Sequence, residues 1–134
     1  MNSRRSLLNA IGTIVILGLF LAGCGPGTPV LNVQLLDFSF TPSEMSVPVG
    51  QTVTLNATNK GANLHEFVIM NLGQEVSVPF SDDDEGKIYW EVEIEEGQSK
   101  SVTFTAPSEP GKYQLVCGIP GHIEHGMLGT LSVQ

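Results

Sequence analysis

Ile88-Tyr89-Trp90-Glu91-Val92-Glu93-Ile94 alternates apolar and polar side chains at every step, and Gln98–Thr105 repeats the pattern with Val102 and Phe104. A period of two puts Ile88, Trp90, Val92 and Ile94 on one face and Tyr89, Glu91 and Glu93 on the other, as in a half-buried strand. Outward from this stretch the same grammar recurs. Thr52–Asn59 sets Val53, Leu55 and Ala57 against Thr52, Thr54 and Asn56, and Leu31–Phe40 alternates until Pro42. Glu44–Val49 is short and closes at Gly50-Gln51. Asn59-Lys60-Gly61 is a turn signal, followed by an apolar-rich strand, Leu64–Met70, interrupted by His65-Glu66. Lys112–Cys117 and Leu128–Val133 close the series. Helical periodicity is almost absent, and residues 71–86 read as a longer loop with room for a short helical turn. About eight short strands punctuated by turns predict an all-β fold, a two-sheet antiparallel sandwich with Greek-key connections.

The N-terminus is set apart from this domain. Arg4 and Arg5 precede an apolar run from Ile11 to Leu21, which ends in Leu21-Ala22-Gly23-Cys24. The run is too short and wrongly flanked for a transmembrane helix and reads as an export signal. Leu-Ala-Gly-Cys resembles the bacterial lipobox, which implies cleavage before a lipidated Cys24. The expected organisation is a signal peptide over residues 1–23, lipidated Cys24 with a short tether over 24–30, and one domain over 31–134. Six extended tether residues reach only about 20 Å, so the domain would stay close to the membrane. With Cys24 carrying lipid, Cys117 has no disulfide partner, and an unpaired thiol on an exported domain calls for another explanation.

Charge narrows the partners. The whole chain carries −8, and without Arg4 and Arg5 four lysines face fourteen acidic residues, a net of −10. Such a surface excludes nucleic acid and suits a basic partner or plain solubility. Asp82-Asp83-Asp84-Glu85 lacks the alternating ligand spacing of a calcium loop and reads as solvated charge.

The chemistry concentrates in Cys117-Gly-Ile-Pro-Gly-His122-Ile-Glu-His-Gly-Met127, with His65 far upstream. Four intervening residues separate Cys117 from His122, and four more separate His122 from Met127. Gly118, Pro120-Gly121 and Gly126 let one loop bend enough to present three side chains inward. Two imidazoles, a thiolate and a thioether form the compromise set that serves both Cu(I) and Cu(II). Each residue taken singly has a blander reading: Cys117 and Met127 as core, His65 as a structural histidine.

The loop resembles that of the cupredoxins, the small blue-copper family that includes plastocyanin, azurin, rusticyanin and auracyanin. Phe38-x-Phe40-x-Pro42, Gly50-x-x-Val53, Asn59-x-Gly61, His65-x-Phe67 and Gly126-Met-Leu-Gly-Thr-Leu131 extend the resemblance over residues 31–134. It implies one type 1 copper ion, with Nδ1 of His65, Sγ of Cys117 and Nδ1 of His122 in a plane and Sδ of Met127 axial. It also implies a non-enzymatic carrier that exchanges electrons through the outward edge of His122, ringed by Ile119, Pro120 and Leu64 or Leu128. Two residues depart from the pattern. Glu66 stands where plastocyanin and azurin have asparagine, and His125 is an additional histidine, read as surface-exposed.

The expectation is a monomeric electron carrier, anchored by lipid on the outer side of a bacterial membrane and serving redox protein donors and acceptors. A copper chaperone or reservoir on the same fold is the alternative. An oxidase or reductase needs further copper ligands, and only His125 is spare.

Overall fold

The computed structural model describes residues 27–76 and 78–134, so the expected export signal over 1–23 and the expected lipidation at Cys24 lie outside the described residues. Nine strands and one short helix follow in order: β1 Val30–Leu36, β2 Ser39–Thr41, β3 Glu44–Val47, β4 Thr52–Asn59, β5 His65–Met70, α1 Asp82–Glu85, β6 Ile88–Ile94, β7 Ser99–Thr105, β8 Gly111–Val116 and β9 Leu128–Val133. They form two sheets, ordered β2-β1-β4-β7 and β3-β9-β8-β5-β6.

Alternation in the sequence becomes alternation in burial. Leu31, Val33 and Leu35 of β1, Val53, Leu55 and Ala57 of β4, and Phe104 of β7 point inward from the first sheet. They meet Met45, Val47, Phe67, Ile69, Ile94, Leu115, Leu131 and Val133 from the second. Phe40 packs edge-on against Phe67 with ring centroids 5.7 Å apart, and Trp90 stacks on Phe104 at 4.8 Å, joining the two sheets where β6 and β7 run along their edges. The continuous apolar run Phe67–Met70 has a separate cause: both faces of β5 are covered. Val68 and Met70, with Val116 and Ile123, form a second cluster beneath Val76, Phe80 and Ile88.

Three expectations need correction. The sheets are mixed, because β1 pairs with β4 and β3 with β9 in parallel. The chain leaves the first sheet after β2, runs in the second as β3, and re-enters beside β1 in the same direction. Periodicity reports which face is buried and carries no information about this crossing. The run Leu31–Phe40 is two strands, broken at Asp37-Phe38, where Phe38 takes φ 67. Asp82–Glu85 is the short helix, and its Asp84 is buried, its carboxylate 2.8 Å from Nζ of Lys87 and 3.1 Å from the Ser81 backbone nitrogen. That member of the acidic run is paired rather than solvated.

Candidate metal centre

One end of the sandwich gathers the start of β5, the end of β8, the β8–β9 loop and the β1–β2 turn. His65 opens β5 and is fully buried. Cys117 follows the last residue of β8 and is also fully buried, with Sγ accepting a bond from the Glu66 backbone N–H at 3.3 Å. The loop after Cys117 is a succession of tight turns: the amide of His122 donates to Ile119 O at 3.0 Å, Gly126 to Ile123 O at 2.8 Å, and Met127 to His122 O at 3.0 Å. Gly121 and Gly126 take φ 88 and 96, a region that side chains disfavour.

These elements bring three donor atoms to one point. Nδ1 of His65 lies 3.1 Å from Nδ1 of His122 and 3.8 Å from Sγ of Cys117, and Sγ lies 3.3 Å from Nδ1 of His122. Lone pairs aimed at one buried point repel unless protons or a cation sit between them. The position equidistant from the three atoms is roughly 2 Å from each, close to the bonds a first-row divalent ion makes to imidazole (about 2.0–2.1 Å) and thiolate (about 2.3 Å). The residues therefore fit a soft or borderline metal ion. Met127 is fully buried in the same core cluster as Cys117.

Burial governs the protonation of the group. It lowers the His65 pKa, with Asp37 opposing, and lowers that of His122, assisted by repulsion from His65. Burial raises the Cys117 thiol, against the Glu66 and Ile119 backbone N–H groups. Burial thus favours neutral imidazoles and a protonated thiol, and binding a metal must release the thiol proton.

Both unusual residues find places. The Glu66 carboxylate turns toward the ligand loop: a Cβ on Gly118 would lie 2.6 Å from its Oε2. Burial raises its pKa, as do Glu91 and Glu93, while the Gly118 backbone N–H lowers it. His125 is exposed and outside the donor triangle, with Nδ1 donating to Gly121 O at 2.6 Å.

Two residues at this pole escaped sequence reasoning as site residues. Phe38, half-exposed, stacks on His125 with centroids 4.6 Å apart and meets the His122 ring edge-on at 5.5 Å. Asp37 beside it lies 3.4 Å from Nε2 of His65. The lapse of alternation at Leu36-Asp37-Phe38 was the available signal. Phe38, Asn63, Leu64, Ile119, Pro120, Gly121, His122 and His125 surround a shallow hollow of about 480 Å³, whereas Leu128 lies elsewhere.

Comparison with known proteins agrees with this architecture. A model described as "Cupredoxin-like domain" matches residues 11–129. Auracyanin-B of Chloroflexus aurantiacus is 31% identical over 112 residues, covering 71% of this chain and 47% of that protein, so the chain spans about half of that relative's length. The copper-resistant cuproprotein CopI of Pseudomonas aeruginosa is 27% identical over 140 residues, covering 78% of this chain and 75% of that protein. Among solved structures, reduced auracyanin from Roseiflexus castenholzii superposes with a TM-score of 0.66 at 27% identity, covering 82% of this chain and 99% of that one.

Proposed function

We propose, on the premise that this chain belongs to the cupredoxin-like domain family, that it is an electron carrier holding one copper ion on His65, Cys117, His122 and Met127. The observation that carries the reading is the buried triangle of two imidazole nitrogens and one thiol sulfur. Auracyanin A, a structural neighbour at 25% identity with a TM-score of 0.61, is described as a "blue" copper protein. Bound copper supplies the one-electron Cu(I)/Cu(II) couple, for which this donor set is suited in both states. The chain's own residues do the rest. The Cys117 thiolate and Met127 thioether favour the reduced ion, and the imidazoles serve either. Backbone bonds from Met127 to His122 and from Glu66 to Cys117 hold the donors in place, so little rearrangement accompanies electron transfer. Four protein donors leave no position for a substrate, which suits a carrier rather than an enzyme. His122 reaches the floor of the hollow formed by Leu64, Ile119, Pro120 and Phe38, and its ring edge is the contact offered to redox partners.

An export signal over 1–23, lipidated Cys24 and the tether over 24–30 would place the domain, as a monomer, on the outer face of a bacterial membrane. Donors and acceptors then meet it near that surface. Among the described residues no helix is long and apolar enough to cross a membrane. Mass spectrometry of protein from bacterial membranes should find Cys24 as the acylated N-terminus, and an unmodified Cys24 would remove the anchor.

Copper-loaded protein should show an intense visible thiolate-to-copper band, a one-electron titration, and loss of the band in Cys117→Ser. A colourless copper complex would sink the carrier reading. Similarity to CopI favours a second reading, copper handling. Rapid surrender of Cu(I) to a competing chelator, with no reversible titration, would select it.

A further inference from the structure

Asp37 stands at the turn between β1 and β2, on the side of the His65 ring away from the donor triangle. Its Oδ1 lies 3.4 Å from Nε2, which is buried and has no hydrogen-bond partner among the described residues. At 3.4 Å the two atoms are in contact and short of a formed hydrogen bond. The carboxylate is not free to drift, because Oδ1 also accepts the Ala62 backbone N–H at 3.0 Å.

A second feature points the same way. A Cβ on Gly61 would collide with both Oδ1 of Asp37 and Nε2 of His65. The close approach of carboxylate and ring therefore exists because residue 61 has no side chain. Gly61 is itself pinned, its N–H donating to Oδ1 of Asn59 at 2.9 Å, while Nδ2 of Asn59 donates to Asn63 O at 2.7 Å and Ile94 O at 2.8 Å. The turn is built to set a carboxylate behind the imidazole.

A carboxylate at one ring nitrogen keeps the proton there and leaves the other nitrogen's lone pair for a metal. We infer that Asp37 is a positioning residue for the ligand His65, holding its Nε2–H, aiming Nδ1 at Cys117 and His122, and adding negative charge that favours the oxidised ion. This rests on the copper reading of the site. The Asp37 side chain is 43% exposed, so water and salt screen its charge and its effect belongs at the lower end of such partners' range.

The test compares wild-type protein with Asp37→Asn and Asp37→Ala, using Glu124→Gln to control for removing one charge from this pole. Two quantities are read: the reduction potential of the copper-loaded protein, and solvent exchange of the His65 Nε2–H by proton–nitrogen NMR in the Cu(I) and metal-free forms. Asp37→Asn should raise the potential by about 60 mV, the equivalent of a roughly tenfold shift toward the reduced ion. Asp37→Ala should also speed Nε2–H exchange about tenfold, as the loss of one net hydrogen bond at that proton implies. Glu124→Gln should leave the exchange unchanged. Wild-type potential and wild-type exchange in both Asp37 variants would overturn the inference. Should the wild-type protein form no thiolate-to-copper band, the copper reading fails, and Nε2–H exchange in metal-free protein still decides the role of Asp37.

Discussion

His65 and His122 are imidazoles that the fold buries uncharged, and this links the centre to stability. In the unfolded chain both rings take up protons near pH 6.5, their ordinary value, whereas burial lowers both in the folded chain. Stability from this source is complete above pH 6.5 and is lost as pH falls through the lowered folded values. Glu66 works with the opposite sign, because its raised folded pKa contributes stability at low pH that is lost as pH rises through the folded value. Metal-free Glu66→Gln should therefore unfold at steadily lower urea concentration as pH falls from 7.5 toward 5.5, and adding His65→Gln should flatten that slope. An unchanged slope in the double variant would contradict the assignment. At this scale the sequence was legible wherever a residue's type announces its chemistry. Cys117, His122, Met127 and His65 stood out because a thiol, a thioether and imidazoles in one pattern have few other uses. Asp37 and Phe38 did not, because their roles depend on a backbone turn with positive φ at Phe38, which no residue type signals.

The ligand loop is the element that converts a β-sandwich into a centre, and its shape depends on two glycines with positive φ. At Gly126 a Cβ would meet no atom within 4 Å, so alanine there introduces backbone strain without steric crowding. That strain is about 1–3 kcal/mol. Gly126→Ala should lower metal-free stability by this amount in urea titrations. Because Met127 N–H donates to His122 O across this turn, the loaded variant should also lose copper faster than wild type. Normal copper retention in a destabilised variant would show that the loop can shift without moving its donors. The strands themselves were readable from alternation, down to the inward sets of β1, β4 and β7. Pairing was not. A strand's period records the face it buries, while the parallel neighbours β1 with β4 and β3 with β9 arise from crossings between sheets. A short helical turn was allowed within residues 71–86, but the burial of Asp84 in α1 was hidden for a different reason. Four acidic residues suggest solvent, and the Lys87 that pairs with Asp84 lies outside the run.

At the scale of the whole molecule, charge and polarity of the fold combine. β1 begins at Val30 and ends beside Asp37, so seven residues of strand, about 23 Å, separate the chain's entry from the ligand pole. A tether joined at Val30 would hold the far end of the sandwich toward the membrane and leave the His122 hollow facing away from it. The lining of that hollow holds no carboxylate, lysine or arginine, while the chain as a whole is strongly acidic, with fourteen carboxylates against four lysines once Arg4 and Arg5 are set aside. Short-range contact at the hollow and long-range attraction are thus supplied by different parts of the surface. A small redox reagent that approaches the hollow should feel the net charge before it feels the site. Electron exchange with a cationic cobalt complex should slow as salt rises from 10 mM to 200 mM, and exchange with ferricyanide should quicken, because the Debye length contracts from about 30 Å to under about 10 Å over that range. Stopped-flow measurement at the visible copper band gives both slopes. Slopes of the same sign for the two reagents would mean that the local neutrality of the hollow, and not the charge of the whole domain, sets the approach.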